Sequence, residues 1–159
     1  MPRIPLIKSL AGASAALVVL IGTSLGENAS DQVTGSWLTE ERDGVVEIKP
    51  CGRFVCGYIQ GILNTYGQKP PLVDVLNENP ALRSRRICEL PVLGNLRKLA
   101  ADTWGEGWVY DPKRGKTFDV EVTLRGRNEL SVRGYYGVKM LGQTVIWSRL
   151  ETAPPKCRQ

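Results

Sequence analysis

From Lys116 to Arg125 the chain alternates without a break. Phe118, Val120, Val122 and Leu124 fall on one face, and Asp119, Glu121 and Thr123 on the other. A period of two held from Thr117 to Arg125 is wrong for a helix and demands a strand with one wet and one buried face. Gly126-Arg127-Asn128 then turns the chain into residues 129–138, where Leu130 and Val132 oppose Ser131 and Arg133. On the other side, Asp111-Pro112-Lys113-Arg114-Gly115 is a turn in which Pro presets φ and Gly supplies a left-handed exit. Two half-buried strands cannot cover each other fully, so the remaining segments must complete a sheet.

They have the composition to do so. Strand-like segments occur at residues 33–39, 44–49 (GVVEIK), 54–63, 88–93, 103–110 and 142–150, and no long amphipathic helix interrupts them. Residues 64–87, with Pro70, Pro71 and Pro80, read as an irregular excursion. In it Asn79 caps a short helical turn that has Pro80 at its first position. Residues 96–102 read as a second short helix or a loop. Gly105 and Gly107 predict a bulged, twisted strand. The expected fold is all-β: a small antiparallel up-and-down barrel of about eight strands, with one or two short helical turns before and after Cys88. Closure is favoured because it removes exposed edges. Phe54 and Phe118 are assigned to its core.

The N-terminus does not belong to that barrel. Residues 1–8 carry Arg3 and Lys8 and no acid, and residues 9–25 (SLAGASAALVVLIGTSL) are apolar and small. Basic, then apolar, then small is the layout of a secretory signal peptide. The expected organisation is a signal peptide over residues 1–26, a barrel domain over 27–151 and a Pro-rich tail over 152–159. Periplasmic or secreted localisation follows, with no integral membrane segment after cleavage. Loss of Arg3 and Lys8 lowers the net charge from +5 to +3, too little for a nucleic-acid partner without a longer basic stripe and aromatic platforms. The run Arg83-Ser84-Arg85-Arg86 reads as a solvated face, or as a patch for anionic envelope polymers or lipid headgroups. Four cysteines in an exported chain predict disulfides. Of the three possible pairings, Cys51–Cys56 is favoured because Pro50-Cys51-Gly52-Arg53 reads as a tight turn, which leaves Cys88–Cys157.

The sequence contains no histidine. Ser-His-Asp triads, Cys-His pairs and histidine zinc sites are therefore excluded, and CxxxxC with two distant thiols matches no common metal cluster. No metal and no cofactor are expected. Carboxylates remain as candidate acid-base groups: Glu40, Glu41 and Asp43 beside one loop, Asp102 and Glu106 beside Trp104 and Trp108. Tyr110 and Lys116 flank the Asp111 turn. In each place a solvated loop or a framed hairpin is the simpler reading, so a non-enzyme is expected, with a carboxylate hydrolase as the remote alternative.

Gly35-Ser36-Trp37 opens the first strand and Trp147-Ser148-Arg149 ends the last. In an up-and-down barrel these strands are neighbours, so Arg149 can stack on Trp37 and close one end. At these residues the chain resembles the lipocalin and fatty-acid-binding superfamily. A closer resemblance rests on Gly35-Ser36-Trp37, Arg42-Asp43-Gly44-Val45-Val46-Glu47-Ile48, Cys51-Gly52 with Val55-Cys56-Gly57, and Asn79-Pro80-Ala81-Leu82-Arg83. It continues through Gly107-Trp108-Val109-Tyr110-Asp111-Pro112 with Gly115-Lys116, Val132-Arg133-Gly134-Tyr135 and Trp147-Ser148-Arg149. In this order the motifs resemble the exported bacterial domain-of-unknown-function family 2147. The resemblance implies a lipocalin-like barrel in the envelope, no activity and no catalytic residues; Cys157 and the tail lie outside the shared pattern. Barrels of this size either fill with side chains or hold one small ligand. Tyr58, Trp104, Trp108, Tyr110, Tyr135 and Tyr136 are the candidates to line a ligand's entrance. The expected function is binding of a small apolar or amphipathic molecule. The alternative is a filled barrel that acts through its surface on an envelope protein or glycan.

Overall fold

A computed structural model describes residues 32–67, 72–152 and 157. The expected signal peptide and Pro154-Pro155 lie outside the described residues. Eight strands follow in chain order: β1 (Gly35–Leu38), β2 (Gly44–Cys51), β3 (Phe54–Ile62), β4 (Pro91–Ala100), β5 (Thr103–Asp111), β6 (Lys116–Arg125), β7 (Glu129–Tyr135) and β8 (Gln143–Leu150). Each pairs antiparallel with the next and β8 pairs with β1, so the sheet is a closed up-and-down barrel. Among the described residues no helix is long and apolar enough to cross a membrane.

The alternation in β6 places Val120 and Val122, both fully buried, inside the barrel, where β7 supplies Leu130 and Val132. Strand direction sorts the connections. The β2–β3, β4–β5 and β6–β7 turns lie at one end, together with the start of β1 and the end of β8. The β1–β2, β3–β4, β5–β6 and β7–β8 connections lie at the other.

The first end is closed. The Arg149 guanidinium lies 4.1 Å from the centroid of the buried Trp37 ring. It donates to the carbonyls of Thr34 (2.7 Å), Arg127 (2.6 Å) and Gln32, while the Trp37 indole N–H donates to Val33 O at 2.9 Å. Arg149 thus ties the start of β1 to the β6–β7 turn. Two disulfides brace the wall: Cys51–Cys56 across the β2–β3 hairpin, and Cys88–Cys157, where the Cys157 N–H also donates to Gln60 O at 2.7 Å.

Two expectations about β4 are corrected. The strand starts at Pro91, not Cys88, and residues 96–100 continue it rather than forming a helix or loop. Leu93 and Leu96 are both buried inside, three residues apart, because Asn95 takes φ +57° and resets the alternation. Spacing of three is what a helix shows, hence the misreading. The helical turn before Cys88 forms over Pro80–Leu82, with the Asn79 side chain accepting from Ala81 N. The second such turn lies at Lys139–Leu141, between β7 and β8, instead of after Cys88. The β5 irregularity falls between Trp104 and Gly107, as the glycines predict.

Phe54 is a further correction: Val55 points inside, so Phe54 faces out, where Arg53 and Arg97 stack on it. The basic run is not a bare solvated face either. Arg85 Nε donates to Asp74 Oδ2 (2.8 Å), its guanidinium lies 4.8 Å from the Tyr110 centroid, and Arg83 Nε donates to Asn77 O (2.8 Å). These arginines knit the β3–β4 excursion together.

Candidate functional site

The open end leads into a cavity of about 720 Å³. Its depth is apolar: Val46, Ile59, Val92, Val109 and Val132 form walls, and Trp147 and Phe118 contribute rings. Leu72 and Ile87, from the β3–β4 excursion, complete one side. Charge is confined to the rim, at Glu40, Glu41, Asp43, Asp111, Lys113 and Arg114.

The excursion is anchored by a polar group that is fully satisfied. The Asp74 side chain is wholly buried and accepts from Tyr110 Oη (2.6 and 2.7 Å), Asn77 Nδ2 (2.8 Å) and Arg85 Nε (2.8 Å). Burial, and then the hydrogen bond to Asp74, push the Tyr110 hydroxyl above its ordinary pKa, so it stays a proton donor. The excursion also packs on the β5–β6 turn at Gly115, whose φ is +67°. A Cβ there would sit 1.7 Å from Leu76 O.

Lys113, on the β5–β6 turn, bonds to Asp43 and Glu41 on the β1–β2 connection. In an eight-strand ring those two connections lie opposite each other, so the ion pair spans the mouth. Tyr66, in the β3–β4 connection, completes the strap. Its hydroxyl donates to Asp43 Oδ2 at 3.2 Å, and the Lys113 ammonium stands 5.4 Å from its ring centroid. Burial alone would raise the Asp43 carboxyl. Hydrogen bonds from Lys113 and Thr39 outweigh it and hold the group below its ordinary value. Burial likewise works against the Lys113 charge, but bonds to Asp43 and Glu41 raise its pKa well above the lysine range.

The acidic trio is therefore structural in its bonding. Glu40 Oε1 accepts the Ile146 N–H at 2.9 Å, Glu41 and Asp43 hold Lys113, and Thr39 Oγ1 donates to Asp43 at 2.7 Å. Asp102 and Glu106 belong to the opposite half of the barrel, and Glu106 is paired with Arg97.

Of the six aromatic residues expected at a ligand's entrance, Tyr110, Tyr135 and Tyr136 line the cavity or its mouth. The other three do not. Trp104 is buried near the closed end, with Lys98 at 4.5 Å from its ring centroid. Trp108 pairs in register with Gly94 and Asp119, on the face opposite the inward Val109, and it lies so close that a Cβ on Gly94 would fall 2.3 Å from the ring. Tyr58 is on the outer wall under Lys49, 4.7 Å away. Bulges in β4 and β5 offset the alternation, which scatters residues that composition groups together. The strap residues Lys113 and Tyr66, and the wall residues Ile59 and Ile87, carry no local signal of a site, because only closure of the barrel brings them together.

Comparison with known proteins agrees with this architecture. The sequence model of a family described as “Uncharacterized protein conserved in bacteria (DUF2147)” matches residues 35–149. The solved structure of protein HP1028 from the human pathogen Helicobacter pylori, described as belonging to the lipocalin family, is similar at a TM-score of 0.65 and 27% sequence identity. The match covers 74% of this chain and 82% of that one. A search of curated proteins finds no match.

Proposed function

The chain belongs to the bacterial DUF2147 family, and from its lipocalin-like barrel we propose that it is an exported protein that binds one small apolar or amphipathic molecule. The observation that carries this reading is the cavity of about 720 Å³, apolar in depth and charged only at its rim. That volume lies within the range of small-molecule sites, and that polarity gradient suits a molecule with an apolar body and a polar end held near solvent. Tyr135 and Tyr136 offer amphipathic ring edges at the transition between the two. Export is supported by the basic-apolar-small layout of residues 1–26 and by two disulfides, which persist in oxidising compartments.

The test is displacement of an environment-sensitive apolar dye, combined with native mass spectrometry of the protein as isolated from its host. Saturable one-to-one dye binding, or a co-purifying small mass released by denaturation, is the expected outcome. A protein that carries no small mass and leaves the dye unbound would instead be a surface-acting module for an envelope protein or glycan.

A further inference from the structure

Among the described residues, most of the large apolar side chains left in water stand around the mouth. Of ten large exposed ones among the described residues, nine belong to connections at the open end. The densest group is the β7–β8 connection, where Tyr136, Met140 and Leu141 are 83%, 87% and 83% exposed and Val138 is more than half exposed. Leu63 and Tyr66, also exposed, belong to the β3–β4 connection on the opposite side of the ring.

The connection is built, not loose. Arg133 Nε donates to Lys139 O (3.0 Å), its Nη2 to Met140 O (3.1 Å) and its Nη1 to Thr144 Oγ1 (2.9 Å). Leu141 N and Gly142 N donate back to Val138 O and Lys139 O, both at 3.1 Å. The carbonyls at the tip are thus satisfied from within, which is the condition for placing backbone in an apolar medium. Met140 and Leu141 project almost wholly into water from a three-residue turn, so a protein acceptor would have to offer a groove to take them. The charge of the tip itself is compatible with an apolar medium. Between Tyr136 and Gly142 the only charged side chain is Lys139, half exposed and paired with Glu121, and no acid stands in that stretch; elsewhere on the rim acids and bases are paired, Arg114 with Asp111, Lys116 with Glu78 and Lys113 with Glu41 and Asp43. Apolar tips with tyrosine and lysine at their base match the boundary between acyl chains and phosphate headgroups.

We infer that the open end docks on the surface of a phospholipid bilayer, with Val138, Met140 and Leu141 entering the acyl boundary and Lys139 remaining among the phosphates. Tyr136 and Leu141 also line the mouth, so docking sets the cavity opening against the bilayer. The docking surface stands without the proposed cavity ligand, and the two fail separately.

The experiment is vesicle flotation of the protein as isolated, its N-terminus read by mass spectrometry, using phosphatidylethanolamine/phosphatidylglycerol vesicles. Wild type is expected to float with the vesicles, and the double variant Met140→Ser/Leu141→Ser to partition at least tenfold less. Both positions are exposed, so the fold is expected to persist, and an unchanged thermal transition checks it. In a second variant, Met140→Trp, vesicles with brominated acyl chains are expected to quench the added tryptophan, as judged against wild type. Wild type that stays at the bottom of the gradient overturns docking, as does a double variant that floats unchanged. A residue-140 crosslink to one protein, with vesicles ignored, overturns it in favour of a protein acceptor. Dye binding without flotation leaves the cavity reading intact and removes this one; flotation without dye binding does the reverse.

Discussion

Gly134→Leu tests whether the interior cavity is where a ligand sits. Gly134 lies on β7, pairs with the inward Val120, and contributes to the cavity wall. A Cβ there would meet only Val109 Cγ1 at 3.5 Å and Phe118 Cβ at 3.8 Å, ordinary van der Waals distances. Glycine inside a strand costs roughly 0.5–1 kcal/mol relative to alanine. Seating the remaining leucine carbons against Val109 and Phe118 adds about 1 kcal/mol, less than full burial because one side stays open. The net expectation is stabilisation by about 1–2 kcal/mol, or a rise in Tm of roughly 3–8 °C for a domain of this size. The same side chain occupies on the order of 100 Å³, a noticeable part of the cavity of about 720 Å³. A ligand forced against it suffers an overpacking cost of about 1–3 kcal/mol, which weakens Kd roughly five- to hundredfold. Thermal unfolding and dye titration on the same samples give both numbers. A drop in Tm of several degrees would show that no room exists beside Gly134. Unchanged dye affinity with a higher Tm would place the ligand somewhere other than the cavity.

Arg149→Ala removes the stack on Trp37 and three charge-assisted bonds to backbone carbonyls. The expected loss is about 2–4 kcal/mol, read by denaturant unfolding, with dye affinity little changed because the plug lies at the far end. The strap across the mouth predicts a pH effect. Asp43 is held below its ordinary value, so its bonds contribute fully above about pH 4 and are lost as pH falls through the lower folded value. Lys113 is raised, so its contribution is complete below the ordinary lysine pKa and stays level through neutral pH. Stopped-flow dye entry is expected to accelerate on acidification below about pH 4, and Lys113→Ala is expected to show fast entry at every pH. A pH-independent entry rate in wild type would remove the strap's gating role. Cys157→Ser opens the larger disulfide loop and is expected to cost about 4 kcal/mol in the chain-entropy model, against about 2 kcal/mol for Cys56→Ser. Guanidinium titrations of the two variants rank them.

The barrel was legible wherever one face is buried and one is wet. β6 declares itself because Val120 and Val122 alternate with Glu121 and Thr123, and its turns carry Pro112, Gly115 and Gly126 at positions that need them. Trp37 and Arg149 were legible as a pair for a topological reason: in a meander that closes, the first and last strands must meet, and the observed register sets the two residues directly opposite. β4 was half lost because Asn95 puts a left-handed residue in mid-strand, and no composition rule anticipates that for a residue flanked by Gly94 and Leu96.

The cavity is a different kind of quantity. It is the difference between the volume a closed ring encloses and the volume its inward side chains fill, and neither is a property of any one segment. Aromatic count alone was a half guide to it for that reason: Tyr110, Tyr135 and Tyr136 line the cavity or its mouth, and Tyr58, Trp104 and Trp108 do not. Large rings are what a closing end consumes, and Trp37 and Trp104 went there. Much of the wall of the open half is valine, with Gly134, beside Ile59, Ile87, Phe118 and Trp147, and the small residues are the ones that leave space. Its charged rim could not be read locally either, since Asp43 and Lys113 are seventy residues apart and meet only across the mouth. The inward positions of the mouth-side strand halves are therefore a better guide to an interior site than the aromatic inventory. For this chain those positions are Val46, Val109, Val132 and Gly134, and enlarging any of them should weaken binding, whereas replacing Tyr58 or Trp108 should not.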